Sequence, residues 1–336
     1  MKKRVYIAYT GGTIGMMQTP AGYKPIEGYL AKRMAAMPEL QHTSMPSYTL
    51  HEYSPLLDSA NMHPRNWQAI ATDISRHYED YDGFVVIHGT DTMAYTASAL
   101  SFMLGSLAKP VILTGSQIPL AEVRSDAREN LITSMLLAAN SNVPEVCLFV
   151  NGNLLRGNRS TKVNSSGFEA FASPNYPPLA TVGVDITVND ALIRSVPTTP
   201  LEVTDLKRTQ IAALRLFPGI SAEILENFLL KPIQGLVLET YGAGNAPQDK
   251  DLLAVLETAC KRGVVIVNCT QCLTGSVDMK DYAAGQELAD IGVVSGYDMT
   301  AEAALTKLYF LFSLSSETAF VSEKIQENLR GELTVA

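Results

Sequence analysis

Apolar residues in this chain fall into short unbroken runs, separated by longer stretches with helical spacing. The runs at 4–9, 84–87, 111–113 and 146–150 lack internal polar alternation. Strands covered by helices on both faces have that pattern, whereas half-exposed strands alternate. Between the runs, 64–78, 94–107 and 124–140 have the spacing of helices, and Pro64 suits a first helical turn, where a missing N–H is tolerated. This alternation of strand and helix predicts an α/β fold built on a doubly wound, mostly parallel sheet. A second series follows residue 210, with strands expected over 211–217, 235–238, 264–267 and 293–295 and helices over 221–230, 250–262 and 302–314. Between the two series, Pro197, Pro200, threonines and mixed charges show no clear period. The expected organisation is a larger N-terminal catalytic α/β domain over 1–188, a linker over 189–209 and a smaller C-terminal α/β domain over 210–336.

Composition narrows the class. A chain of 336 residues, 46% of them hydrophobic, can bury substantial cores, and a net charge of −8 without a long basic run argues against nucleic acid as a partner. The N-terminal Met-Lys-Lys-Arg leads into only five apolar residues before Thr10-Gly11-Gly12. A secretory core needs about 7–15 apolar residues and a membrane span roughly 18, so a cytoplasmic protein without membrane association is expected. Cys269 and Cys272 form a C-x-x-C with no second copy, while Cys147 and Cys260 lie in apolar patterns, so structural thiols are expected rather than redox or zinc chemistry. The histidines are scattered over 42, 51, 63, 77 and 88, without ligand spacing. Neither a metal nor an organic cofactor is expected.

The candidate chemistry sits in the loops that follow the strands, where open parallel sheets bind ligands. These loops are Thr10-Gly11-Gly12-Thr13-Ile14-Gly15, His88-Gly89-Thr90-Asp91-Thr92, Thr114-Gly115-Ser116-Gln117 and the stretch 151–162. The first has neither the lysine of a Walker A loop nor the G-x-G-x-x-G spacing. A threonine hydroxyl attacks a carbon only when a neighbouring base or cation activates it. Thr90, Asp91 and Lys162 reach the same sheet edge as Thr13: a desolvated Lys162 can accept a proton, and Asp91 can hold it in place. Thr13 alone would be a turn residue and Lys162 alone a surface lysine. Their convergence suggests an enzyme that attacks a small polar amide.

These loops carry a resemblance. Thr10-Gly11-Gly12-Thr13-Ile14 resembles the first signature of the bacterial-type asparaginase/glutaminase family, and His88-Gly89-Thr90-Asp91-Thr92-Met93 resembles the second. The likeness continues through Thr114-Gly115-Ser116-Gln117, Asp126, Arg156-Gly157, Lys162 and Tyr241-Gly242-Ala243-Gly244-Asn245, and the stretch 91–99 looks like the type I, cytosolic branch. The resemblance implies hydrolysis of L-asparagine to L-aspartate and ammonia through a β-aspartyl ester on Thr13. It also implies that Tyr23 orients or deprotonates the nucleophile and that Thr90, Asp91 and Lys162 form a second triad. Ser59 would donate to the substrate α-carboxylate. Asp91, helped by Asp58, would accept from the α-ammonium, with Thr90 alongside. Asn245 would reach the site of a neighbouring copy in a homodimer or homotetramer.

Several alternatives stay open at this stage. Asp58-Ser59 also reads as a helix-capping pair ahead of Pro64, and Asn245 as a left-handed turn residue. Tyr23 and the Lys162 relay are both able to take the first proton from Thr13. Glutamine differs from asparagine by one methylene, worth only about 1–3 kcal/mol of discrimination, so a glutaminase or amidotransferase-like amidase is a neighbouring reading. A non-catalytic amino-acid sensor would be expected to have lost Thr13, Thr90 or Lys162, and all three are present. Some type I members carry a regulatory asparagine site with an arginine just before the Tyr-Gly turn. Glu239 stands there in this chain and cannot pair with a carboxylate, so the resemblance does not extend to that site.

Overall fold

The unbroken apolar runs become strands that are buried on both faces. In the computed structural model, which describes residues 2–20, 22–230, 232–279 and 283–334, the chain divides into two units, Met1–Val203 and Thr204–Ala336. Five parallel strands organise the first: β1 (Arg4–Gly11), β2 (Ser47–Leu57), β3 (Gly83–Ile87), β4 (Val111–Thr114) and β5 (Val146–Val150). They lie in the order β2-β1-β3-β4-β5. Three antiparallel strands extend the sheet beyond β5, namely β6 (Asn153–Arg156), β7 (Ala180–Val182) and β8 (Ile186–Val188), for eight in all.

Four helices cover this sheet: α1 (Tyr29–Ala35), α2 (Pro64–Arg76), α3 (Met93–Met103) and α4 (Ala127–Asn140). Successive strand residues point to opposite faces. Val5, Ile7, Tyr9, Val85, Ile87, Ile112 and Phe149 therefore meet Leu30 and Met34 of α1 and Leu131 and Met135 of α4. The alternate set, including Tyr6, Phe84, Val86, Leu113 and Leu148, is equally buried on the other face, where α3 packs, with α2 packed on α3.

Three details differ from the pattern-based expectation. The helix expected over 94–107 stops at Met103, because Leu104 and Gly105 leave it to pair antiparallel with Val203 and Glu202. The helix expected from 124 starts at Ala127, and the carboxylate of the preceding Asp126 accepts from the backbone N–H groups of Gln117 and Ile118. The stretch 151–162 is not one loop, since β6 lies within it and turns back along β5.

That reversal is held by a buried ion pair. Arg156, at the end of β6, donates from Nε to Glu145 Oε2 at 2.5 Å and from a terminal nitrogen to Oε1 at 3.0 Å, and both side chains are at most 5% exposed. Its guanidinium stacks over the Tyr176 ring, and Glu145 also accepts from the backbone N–H of Arg194 at 2.8 Å. The segment after residue 188 is thereby tied to the first unit. The pair lies directly upstream of the loop that delivers Lys162.

The second unit repeats the logic with four parallel strands in chain order: β9 (Ile211–Arg215), β10 (Gly235–Thr240), β11 (Val265–Thr270) and β12 (Val294–Ser295). Helices α5 (Ala222–Leu229) and α6 (Lys250–Lys261) cover one face through Leu225, Leu229, Leu252 and Leu256. The helix Ala301–Leu314 lies against β9 and β10. Its fully buried Lys307 is neutralised by the equally buried Glu332 at 2.6 Å. Among the described residues, no helix is long and apolar enough to cross a membrane.

Removing one partner of a buried pair leaves an uncompensated charge and typically costs about 3–5 kcal/mol. Glu145→Ala is therefore expected to lower the stability of the first unit by about that amount, read as a lower urea midpoint with the slope unchanged. A midpoint equal to wild type would show that the pair holds nothing.

Candidate active site

In open parallel sheets the binding crevice opens where the strand order reverses, beyond the carboxyl ends of the strands. Here β1 has β2 on one side and β3 on the other, so the reversal lies between β1 and β3. Their carboxyl ends carry Gly11-Gly12-Thr13 and His88-Gly89-Thr90-Asp91.

Glycine lets these loops touch. Gly12 has φ +91°, and a Cβ there would stand 2.4 Å from the backbone nitrogen of Gly89 and 2.5 Å from its Cα. A Cβ on Gly89 would stand 2.5 Å from Ser59 Oγ. No side chain fits either position without displacing backbone or the Ser59 side chain. Thr13, Thr90 and Ser59 are thus carried on three backbone segments in mutual contact. Thr92 closes the arrangement by donating from Oγ1 to the Ser59 carbonyl at 2.8 Å.

Lys162 arrives from a fourth segment. It ends a short strand, Thr161–Lys162, which pairs antiparallel with Phe171–Ala172. Its Nζ donates to Thr90 Oγ1 at 2.9 Å and to Asp91 Oδ1 at 2.7 Å. Thr90 is 8% exposed and the Lys162 side chain 18%, while the Asp91 side chain is 63% open to solvent. A hydroxyl, an ammonium and an accessible carboxylate thus stand together, an arrangement able to move a proton and to hold a small charged ligand.

The loop after β4 supports this group. Gln117 accepts from Thr90 Oγ1 at 3.2 Å, donates from Nε2 to the Gly167 carbonyl at 3.0 Å, and is anchored by its backbone N–H on Asp126. Buried Asn130 donates to Asp126 and to the Gly115 carbonyl and accepts from the backbone N–H of Asn151.

The other sequence candidates fall as follows. Asp58 accepts from the Ala60 N–H and caps a single 3-10 turn, Ser59–Asn61, while His63 caps α2 ahead of Pro64. Tyr23 lies on the second strand of the hairpin formed by Met16–Thr19 and Gly22–Pro25, where its hydroxyl donates to Glu122 Oε1 at 3.0 Å. The hydrogen bond from Tyr23 to the Glu122 carboxylate raises the phenol above its ordinary pKa. Among the described residues, no hydrogen bond joins Tyr23 to Thr13. Asn245 belongs to the second unit, where its backbone closes a turn with Tyr241; the left-handed positions of that turn are Gly242 and Gly244, not Asn245. Glu239 of the same unit lies 3.6 Å from Arg215. Among the described residues, no group of three or more His, Cys, Asp or Glu side chains is placed to hold a metal ion.

The profile described as "Asparaginase, N-terminal" matches residues 4–194, and that of the "Glutaminase/Asparaginase C-terminal domain" matches 210–324. The chain belongs to the asparaginase family. It is 52% identical to L-asparaginase 1 of Escherichia coli strain K12 over 340 residues, covering 99% of this chain and 98% of that protein. It is 45% identical to the human 60 kDa lysophospholipase over 355 residues, 99% of this chain but 62% of that protein. The crystal structure of L-asparaginase I from Vibrio cholerae superposes with a TM-score of 0.93 at 50% identity, covering 100% of both chains. In this member of the asparaginase family, the partners that sequence reasoning left without a role are Gln117 and Glu122. Both meet their site residues only through folding, and Gln117 was visible only as part of the Thr114-Gly115-Ser116-Gln117 segment.

His88, between β3 and the Gly89 contact, is fully buried in a directed chain of hydrogen bonds. The Gly89 carbonyl can only accept, so His88 Nδ1 carries the proton in their 2.7 Å bond. His88 Nε2 then accepts from Thr96, whose oxygen accepts from the Trp67 indole. Burial lowers the His88 pKa from 6.5 to about 4, so the ring stays neutral in the folded protein at neutral pH. The folded-state value lies below the unfolded one. The stability from keeping this ring neutral is therefore present above pH 6.5 and lost as pH falls through about 4, a loss of about 3 kcal/mol. Urea unfolding at pH 7 and pH 4 is expected to show that much more acid sensitivity in wild type than in His88→Gln. Equal sensitivity would refute the neutral-histidine assignment.

Proposed function

We propose that the protein hydrolyses L-asparagine to L-aspartate and ammonia, with Thr13 as the nucleophile. The observation that carries the reading is Lys162 bridging Thr90 and Asp91 at the sheet edge where the Gly12 and Gly89 backbones touch. Membership of the asparaginase family and 52% identity to an L-asparaginase over nearly the whole chain support the choice of substrate.

In the first step, Thr13 Oγ bonds to the side-chain amide carbon and the C–N bond breaks. The hydroxyl proton is handed on to the departing nitrogen, which leaves as ammonia. In the second, a water oxygen bonds to the β-aspartyl ester carbon, the bond to Thr13 breaks and the hydroxyl is restored. Donors from the Thr90 loop stabilise the oxyanion of each step, an effect worth about 3–4 kcal/mol in comparable sites. Lys162, held by Asp91, relays protons through Thr90. Tyr23, whose single phenolic proton is held by Glu122, offers an oxygen lone pair that orients the Thr13 hydroxyl.

Ser59 and Asp91 provide the donor and acceptor that an α-carboxylate and an α-ammonium require, and Asp58 fixes the turn that presents Ser59. Asn245 is assigned to substrate binding across an interface between copies in a homodimer or a dimer of dimers, an assignment that rests on the family resemblance.

Ammonia release from asparagine tests this reading. The wild type should turn over, and Thr13→Ala should lose about a thousandfold or more in kcat while keeping its fold. Full activity in Thr13→Ala would remove Thr13 as the nucleophile. Binding of asparagine without turnover in the wild type would favour a sensor.

A further inference from the structure

The geometry points to Gln117 as the residue that fixes the direction of the Thr90 hydroxyl, and so the direction in which Thr90 and Lys162 share a proton. The inference rests on the proposed hydrolysis and deepens it by adding a positioning residue.

The directions follow from which atoms are able to donate. The Gly167 carbonyl only accepts, so the group of Gln117 that faces it at 3.0 Å is the NH2. The other end of the same amide, Oε1, only accepts. Thr90 Oγ1, 3.2 Å away, must then be the donor in that contact. A hydroxyl has a single proton, so with that proton on Gln117 the Thr90 oxygen offers only lone pairs to Lys162 Nζ at 2.9 Å. One backbone carbonyl therefore sets the orientation of three polar groups in turn. Without Gln117 the Thr90 proton is free to rotate toward Lys162 or into the site.

The fixing point is itself fixed. The backbone N–H of Gln117 sits on both oxygens of Asp126, at 3.1 and 3.0 Å, and the Ile118 N–H adds a third bond at 3.0 Å. Asn130, 2% exposed, donates to the same carboxylate at 3.3 Å and to the Gly115 carbonyl at 3.0 Å. On the far side, Asn164 Oδ1 accepts from the N–H groups of Ser166 and Gly167 at 2.9 Å each and shapes the turn that presents the Gly167 carbonyl. This turn lies between the strand ending at Lys162 and its partner Phe171–Ala172. Gln117 therefore joins Thr90 to the hairpin that carries Lys162, as well as orienting the hydroxyl between them.

A residue acting this way affects turnover more than substrate affinity, because it acts on the direction of the Thr90 proton and does not touch Ser59 or Asp91, which meet the α-carboxylate and α-ammonium. Steady-state asparagine hydrolysis by Gln117→Met and Gln117→Leu, with folding checked by circular dichroism, tests it. The expected result is a loss in kcat of about tenfold or more with KM changed by less than about twofold. Gln117→Glu keeps an acceptor oxygen for Thr90 but gives up the donor to Gly167, and it should stay within about threefold of the wild-type kcat. If neither apolar variant folds, Gln117→Asn, which keeps the amide but not its reach, should show the same kcat loss.

Wild-type kcat in a folded apolar variant would overturn the assignment. So would a loss carried by KM alone, or a Gln117→Glu enzyme as slow as Gln117→Met. If the wild type itself releases no ammonia from asparagine, the proposed hydrolysis is what fails, and that outcome is distinct from all of these.

Discussion

The close approach of the Gly12 and Gly89 backbones is the constraint on which the rest of the site depends. Each glycine is followed at once by a threonine, so bringing the backbones together brings Thr13 and Thr90 to one crevice. The sheet makes this possible, because β1 and β3 are neighbours whose carboxyl ends open on the same edge. Leu57, at the end of β2, presses its carbonyl against Gly11 in the same manner and leads directly into the Asp58-Ser59 turn. Buried parallel strands thus provide rigidity and side-chain-free loop apices provide proximity. Neither would assemble the site alone.

Onto this frame the structure adds polar chains whose directions are forced rather than chosen. In one, a backbone carbonyl fixes the His88 tautomer and with it the orientations of Thr96 and Trp67 behind the site. In the other, the Gly167 carbonyl fixes Gln117 and with it Thr90, in front of Lys162. Directed networks of this kind specify a single arrangement of protons, which a reaction that passes a proton between fixed groups requires. The exposed and buried ends of the group also differ in task. Asp91 is open to solvent and able to meet a ligand ammonium, whereas Thr90 is enclosed and hydrogen-bonded on two sides.

Much of this was legible in the sequence, and the remainder was hidden for identifiable reasons. The parallel core could be read because strands buried on both faces leave unbroken apolar runs such as Phe84-Val85-Val86-Ile87. The meeting of Thr90 and Asp91 with the Thr13 loop could be anticipated because both loops follow strands of one sheet edge, whereas Lys162 meets them only after β6 has run back along β5. The strand Asn153–Arg156 was masked by its composition. Its two leucines lie between an Asn-Gly-Asn turn and a charged residue, and the burial of Arg156 depends on Glu145, eleven positions away and just ahead of the preceding strand. The early end of the helix at Met103 depends on pairing with residues about a hundred positions later. Gln117 and Glu122 gain their partners only when loops close in space, which no local period encodes.

In the proposed reaction the Thr13 hydroxyl becomes covalently bonded to the substrate during turnover. The most direct test of that bond is mass spectrometry of the wild-type protein and of Lys162→Met, quenched in acid during turnover of asparagine and then digested. An aspartyl adduct is expected on the peptide containing Thr13, released by mild base, and absent from Thr13→Ala. An enzyme that releases ammonia at its full rate with no adduct on that peptide in either protein, or with an adduct on Thr90 instead, would contradict that reaction.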